Sequence, residues 1–357
     1  MKIFATAALG IAVLTLFAPG VLRASPIGPL EKTGWLVYWD LEGGEKTIHD
    51  LHGQLDEICV FAYHFNSEGH LIPASEAIPD QLLTWKARQI AGRPRLWITV
   101  VNDKVEQESS LFKDPMVVHQ ALAEAAARQR HIQELLDLSK DADGLEIDYE
   151  NLGAGDRENL LQFFRELEPL LHARGQLLSV VLEPRTEKQE QVEGPGATDW
   201  TNIAKAADRI RVMAYFLHYG GGASGPTAPP LWVDEILDFA RSRIPKEKLD
   251  IALCLDGIDW SSDAKGSELS FSQIEELRKK NQKPLLRSGR GEPPHFAYQE
   301  GKDLHQVWYE DARSLQEKIR RIQKAGLTRV SFWRLGTGDP AFWKWLAGQK
   351  GRPKLRK

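Results

Sequence analysis

Short apolar runs and longer amphipathic stretches alternate along the chain. The apolar runs are GWLVYW (34–39), EICVFAYHF (57–65), RLWITVV (95–101), GLEIDYE (144–150), LLSVVLE (177–183), RIRVMAYF (209–216), LDIALCL (249–255) and RVSFWRL (329–335). Most are too apolar for a sheet with one solvated face and read as buried parallel strands. Helical signals lie between them. Asp114-Pro115 is an N-cap followed by proline in the first turn. Leu160, Leu161, Phe163, Phe164, Leu167, Leu170 and Leu171 form a wide stripe at helical spacing, with Pro169 near its end. Further helices are predicted over roughly 231–243 and 311–325 and from Asp339-Pro340.

Eight strand–helix alternations predict a (β/α)8 barrel. An open, doubly wound sheet would carry a Gly-rich phosphate turn after its first strand, and WDLEGGEKT lacks the G-x-G-x-x-G form. The longest gap between strands, about 259–308, holds one helical run (FSQIEELRKK) in polar, Pro- and Gly-rich sequence. It reads as an insertion after strand seven, on the face where barrel active sites lie. Residues 25–33 read as a short leader to a barrel filling the rest of 25–357.

Residues 1–24 do not fit that fold. Lys2 precedes the apolar run IFATAALGIAVLTLFAPGV, and Ala24 offers a cut before Ser25. This is the pattern of a secretory signal, with an uncleaved membrane anchor as the alternative. The expectation is an exported protein (periplasmic, cell-wall or secreted) with no stable membrane span after cleavage. The formal net charge of the 357-residue chain is −4, and loss of Lys2 and Arg23 takes it to about −6. The one basic cluster is the tail KGRPKLRK, so nucleic acid is a poor partner. Cys59 and Cys254 sit in strand-like runs that are not neighbours in such a barrel, and read as buried free thiols rather than a disulfide.

The fourth run carries the chemistry. In DGLEIDYE, Glu146, Asp148 and Glu150 alternate with Leu145, Ile147 and Tyr149. Residues two apart on a strand share a face, so the three carboxyls point into the barrel and the last reaches its C-terminal rim. Three stacked acids cannot all ionise freely, so a proton is shared and at least one acid has a raised pKa. That is a poised general acid. A solvated outer face is disfavoured by the apolar flanks. A metal site would need His or further carboxylates converging, and only His64 and His218 lie near strand ends; no metal or cofactor is expected.

The segment Asp143–Glu150 resembles the D-G-x-D-x-D-x-E signature of glycoside hydrolase family 18, the chitinase-like family. VMAYF (212–216) is similar to its M-x-Y-D strand, and 225–240, 307–319 and 330–340 resemble the bacterial branch of spore-germination and cortex-lytic hydrolases. The resemblance covers roughly 34–346. It implies that Glu150 protonates the glycosidic oxygen while the substrate's own 2-acetamido oxygen attacks the anomeric carbon, a substrate-assisted exception to the two-carboxylate rule. It further implies that Asp148 orients the acetamido group and that Glu146 holds the proton letting Asp148 and Glu150 exchange roles. Tyr215 would hydrogen-bond the acetamido oxygen and Trp333 would form the sugar floor. Two positions depart from the family: Glu146 stands where Asp is usual, and Phe216 where Asp usually follows the Tyr.

Other candidates follow from the barrel. Tyr38 and Tyr63 lie near strand ends facing the expected cleft. Asn102, Glu183, Arg185 and His218 follow strands three, five and six, where specificity residues sit. The function expected is an exported retaining hydrolase of β-linked N-acetylhexosamine glycans, peptidoglycan or chitin-like, acting as a monomer. A chitinase-like sugar-binding protein is the alternative, supported by Phe216 alone.

Overall fold

The structure is a computed structural model describing residues 29–349 apart from 52, 77, 79–93, 106–109, 188–197 and 262–265. The signal segment and the basic tail lie outside the described residues. Eight strands form the sheet that matters: β1 (Glu31–Val37), β2 (Glu57–Phe65), β3 (Arg95–Val105), β4 (Gly144–Asp148), β5 (Leu177–Leu182), β6 (Arg209–Met213), β7 (Leu249–Cys254) and β8 (Arg329–Trp333). Each pairs in parallel with the next, and β8 pairs in parallel with β1, so the sheet closes. This is the expected (β/α)8 barrel.

Two boundaries differ from the sequence reading. The leader expected over 25–33 contributes Glu31, Lys32 and Thr33 to β1. Lys32 is fully buried; its ammonium donates to the carbonyls of Leu346 (3.2 Å) and Gln349 (3.0 Å). These lie at the end of the last helix, Pro340–Ala347, where a cation is favoured. β4 and β6 end at Asp148 and Met213, so Glu150 and Tyr215 stand two residues beyond ladder pairing, on the rim.

The predicted helices form the outer layer. Asp114 and Asp339 each accept a bond from the backbone two residues on, capping Pro115–Leu122 and Pro340–Ala347. Helix Arg157–His172 buries Leu160, Leu161, Phe163, Phe164, Leu167 and Leu171 against the barrel. Outward residues of β4, Leu145 and Ile147, join that core.

Residues 257–309 hold an antiparallel sheet of four strands, Gly266–Leu269, Gly257–Trp260, Asp303–Tyr309 and His295–Glu300 in that spatial order, with helix Phe271–Lys280 against it. It has its own small core of Ile274, Phe296, Tyr298, Val307 and Tyr309. Gly266–Leu269 and Gly257–Trp260 are only four residues long, and Asp303–Tyr309 and His295–Glu300 keep many residues exposed, so none reads as a long apolar run. Cys59 and Cys254 are buried free thiols.

Candidate active site

The period-two pattern of β4 turns Glu146 and Asp148 inward. Glu146 is fully enclosed and accepts from Trp35 Nε1 (2.7 Å), Thr99 Oγ1 (2.9 Å), Ser179 Oγ (2.8 Å) and Arg211 Nε. These bonds anchor Glu146 at the base of the column.

Arg211 is the centre of a buried charge layer. Its other nitrogens donate to Glu57 (2.7 Å), Asp250, Ser331 (3.0 Å) and Thr33 (3.2 Å). Trp35 and Trp97 face the guanidinium at 5.8 and 5.6 Å. Arg209 adds bonds to Glu57 (2.8 Å) and Glu31 (2.9 Å). Burial pushes Glu57 up, but Arg211 and Arg209 more than reverse this and hold it at about 2.

Asp148 and Glu150 converge on one atom. Lys113 Nζ lies 2.7 Å from Glu150 Oε1 and 3.5 Å from Asp148 Oδ2. Burial pushes Asp148 up to about 8; Lys113 opposes this, while Glu150, Glu146 and Asp103 reinforce it. Among the described residues Asp148 Oδ1 has no hydrogen-bond partner. Asp148 therefore keeps a proton to higher pH than an exposed carboxyl does, beside the carboxyl of Glu150. The Tyr215 phenol, buried nearby, is raised by that burial and then by the Asp148 charge.

Above the charge layer an apolar one is built from Val37, Phe61 and Val101, with Tyr38 and Trp333 packed on it. Trp333 meets Phe61 at 5.5 Å, Trp35 at 6.1 Å and Trp39 at 6.2 Å between ring centroids. Trp39 is 49% exposed, an open aromatic ring beside Tyr38 and Trp333. Tyr38 packs edge-on to it, and the Asp103 charge, after burial, raises the Tyr38 phenol. Phe216 is half-buried at φ +66 with its ring edge-on to Tyr215. That backbone region favours Asn and Asp over bulky residues, so the family's usual Asp suits this position better than Phe does.

Of the expected substrate contacts, Tyr63 and Asn102 are buried, whereas His218 and Glu183 stay partly exposed. Tyr63 is buried in the main core: β2 bulges after Phe61, so Tyr63 pairs with outward-facing Val100 and leaves the barrel face. Asn102 is fully buried and spends its amide on backbone, accepting from Glu150 N (3.0 Å) and donating to Glu150 O (2.9 Å) and Asp114 O (3.1 Å). It holds the catalytic candidate rather than a sugar. His218 Nδ1 engages Ala223 O within its own loop (3.0 Å). Glu183 accepts from Asn151 N (3.1 Å); burial, then the Glu150 charge, push it up to about 7. Near β8, Arg334 pairs with Asp40 (2.6 Å), and burial pushes Asp256 up to about 7 against Thr337 and Arg334. Sequence reasoning missed Lys113, Asp103, Arg211 and Asp256.

Three acids with raised values give a pH signature. Asp148, Glu183 and Asp256 keep protons in the folded chain to about pH 7–8, whereas an unfolded chain releases them near 4. The folded state binds more protons between those limits, so stability falls as pH rises through them. The melting temperature is expected to be higher at about pH 5.5 than at about pH 8.5. An equal or higher value at the alkaline pH would contradict the placement of these carboxyls.

Among the described residues no group of three or more His, Cys, Asp or Glu is arranged to hold a metal ion, and no helix is long and apolar enough to cross a membrane. The family profile described as glycosyl hydrolases family 18 matches residues 115–338. The putative sporulation-specific glycosylase YdhD of Bacillus subtilis (strain 168) is 26% identical over 307 residues, 84% of this chain and 70% of that protein. A cortical fragment-lytic enzyme of the same organism is 29% identical over 211 residues, 57% of this chain. That match spans 49% of the relative, about half its length. The solved structure of a chitinase from Chromobacterium violaceum aligns with a TM-score of 0.78 at 23% identity, over 89% of this chain and 98% of that one. At that identity the likeness speaks to the fold.

Proposed function

This chain belongs to the glycosyl hydrolases of family 18, and from that premise we propose that it is an exported, retaining hydrolase of β-linked N-acetylhexosamine glycans, of the peptidoglycan or chitin type. The observation that carries the reading is the convergence of Asp148 and Glu150 within 3.5 Å of the Lys113 ammonium at the barrel mouth.

The proton passes from Asp148 to Glu150 as a sugar enters, and Glu150 delivers it to the glycosidic oxygen. The bond from the anomeric carbon to that oxygen breaks, and the leaving sugar departs as an alcohol. The substrate's acetamido oxygen bonds to the anomeric carbon from the opposite face, giving an oxazolinium ion. Asp148, ionised once its proton has moved, turns its unpartnered oxygen to the acetamido N–H. Glu150 then takes a proton from water, whose oxygen displaces the acetamido oxygen, and configuration is retained. Tyr215 donates to the acetamido oxygen; Trp333 and Trp39 offer the sugar an apolar platform. Glu146 fixes the column from below through its bonds to Trp35, Thr99, Ser179 and Arg211.

The N-terminal run of 1–24 and the wall-directed names of the relatives favour export and a wall glycan. The test is incubation of the chain from Ser25 onward with peptidoglycan, acetylated chitin oligomers and fully deacetylated chitosan, with products read by mass spectrometry. Cleavage confined to acetylated glycans is expected. Equal cleavage of chitosan would refute acetamido participation, and no cleavage with retained sugar binding would favour a lectin.

A further inference from the structure

Lys113 belongs to no strand or helix of the barrel, yet its ammonium reaches the two acids on which the reaction turns. Its backbone is at φ +55, a left-handed conformation uncommon for a residue with a side chain. The turn is pinned there. Lys113 N donates to Asp103 Oδ1 (2.9 Å), and the next residue, Asp114, bonds through N to Asn102 O (2.9 Å) and through O to Asn102 Nδ2 (3.1 Å). Asn102 is the same residue that grips both backbone polar groups of Glu150. One buried amide therefore holds the lysine turn and the acid in a common frame.

The side chain crosses the Phe61 ring at 5.5 Å and ends between Glu150 and Asp148. The charges around it come from three neighbouring strand ends: Asp103 from β3, Asp148 and Glu150 at the end of β4, and Glu183 beyond β5, while the neutral Tyr215 phenol beyond β6 faces Asp148 and Glu150. Burial by itself would lower Lys113; Asp148, Glu150 and Asp103 more than reverse that, so the ammonium stays charged. With Arg211 fixing Glu146 below, the column is closed by a cation at each end.

We propose that Lys113 is a positioning residue for the Asp148–Glu150 pair: its ammonium turns both carboxyls toward one point and sets the pH range over which the pair carries a single proton. The proposal rests on the hydrolase reading above. A pair with one proton is the competent form, and its two titrations belong to the pair jointly. A cation within about 4–6 Å favours the ionised forms of both acids. Removing it makes each acid keep its proton to higher pH, so both limbs of the pH–rate profile move in the alkaline direction.

The experiment compares wild type, Lys113→Met and Lys113→Arg, with Glu150→Gln alongside, on acetylated chitin oligomers from pH 4 to 10. For Lys113→Met the kcat/KM profile is expected to move up by about one pH unit or more, and Lys113→Arg is expected to restore the wild-type position. An unmoved profile in the Met variant, with Glu150→Gln inactive, overturns the proposal and leaves the hydrolase reading standing. Full activity of Glu150→Gln overturns the assignment of Glu150 as the acid, and absence of cleavage by the wild type overturns the hydrolase reading itself. A second readout needs no turnover: the Asp148 carboxyl, followed by 13C NMR, is expected to titrate at higher pH in Lys113→Met. Superimposable titration curves overturn the proposal whatever the activity.

Discussion

Glu150→Gln loses hydrolysis of acetylated glycans by about 10²–10⁴-fold while still binding them. General-acid help from one positioned side chain is worth that range. Glutamine keeps the length and planar end of the side chain but has no proton to give to the glycosidic oxygen or to recover from water. The fold should not notice the change. The side chain is 21% exposed at the rim, and Asn102 holds the residue through its backbone, which the substitution leaves alone. The Lys113 ammonium retains Asp148 as a partner and gains an amide oxygen in place of a carboxylate oxygen. The measurements are single-substrate kinetics with acetylated oligomers, calorimetric titration of the same oligomers and a melting curve. Undiminished turnover sinks the assignment of Glu150. Loss of turnover together with a collapsed melting curve would mean that the residue had been misread as a rim group.

Legibility in the sequence followed the regularity of the element. Glu146, Asp148 and Glu150 were readable because a strand has a period of two and the residues between them are apolar. The caps at Asp114 and Asp339 were readable because they use local chemistry. Tyr63 was misplaced because one bulge after Phe61 shifts the alternation, and nothing in EICVFAYHF announces a bulge. Asn102 was sorted by its position after a strand, whereas its role is decided by a partner 48 residues away. Lys113 lies in a turn whose left-handed backbone no residue type in SLFKDP predicts. Arg211 did leave a signal. In RIRVM, Arg209 and Arg211 alternate with Ile210 and Val212, so two cations face the same interior as the acids of β4. Reading the basic alternation of β6 against the acidic alternation of β4 would have paired Arg211 with Glu146.

That pairing makes Arg211→Met the substitution with the largest expected effect on stability, a loss of about 3–5 kcal/mol. Methionine is apolar and of similar reach, so it fills much of the space between Trp35 and Trp97, and the deficit comes chiefly from stranded charge. Glu57, Glu146 and Asp250 lose the guanidinium they share, and Arg209 replaces it for Glu57 alone. The pH dependence separates charge from packing. With Arg211 present Glu57 is held at about 2, below its unfolded value, so its contribution is present at neutral pH and is lost as pH falls through about 2. Asp250 is already raised by burial against the pull of Arg211 and rises further without it. In the variant burial dominates at both positions, and the stranded acids destabilise the fold more the further pH lies above their unfolded values. The deficit should therefore be greatest near pH 8 and shrink toward pH 5, where protons can replace the missing cation. Denaturant unfolding of wild type and variant at the two pH values measures it. A deficit of the same size at both would show that Arg211 holds the barrel by shape rather than by charge.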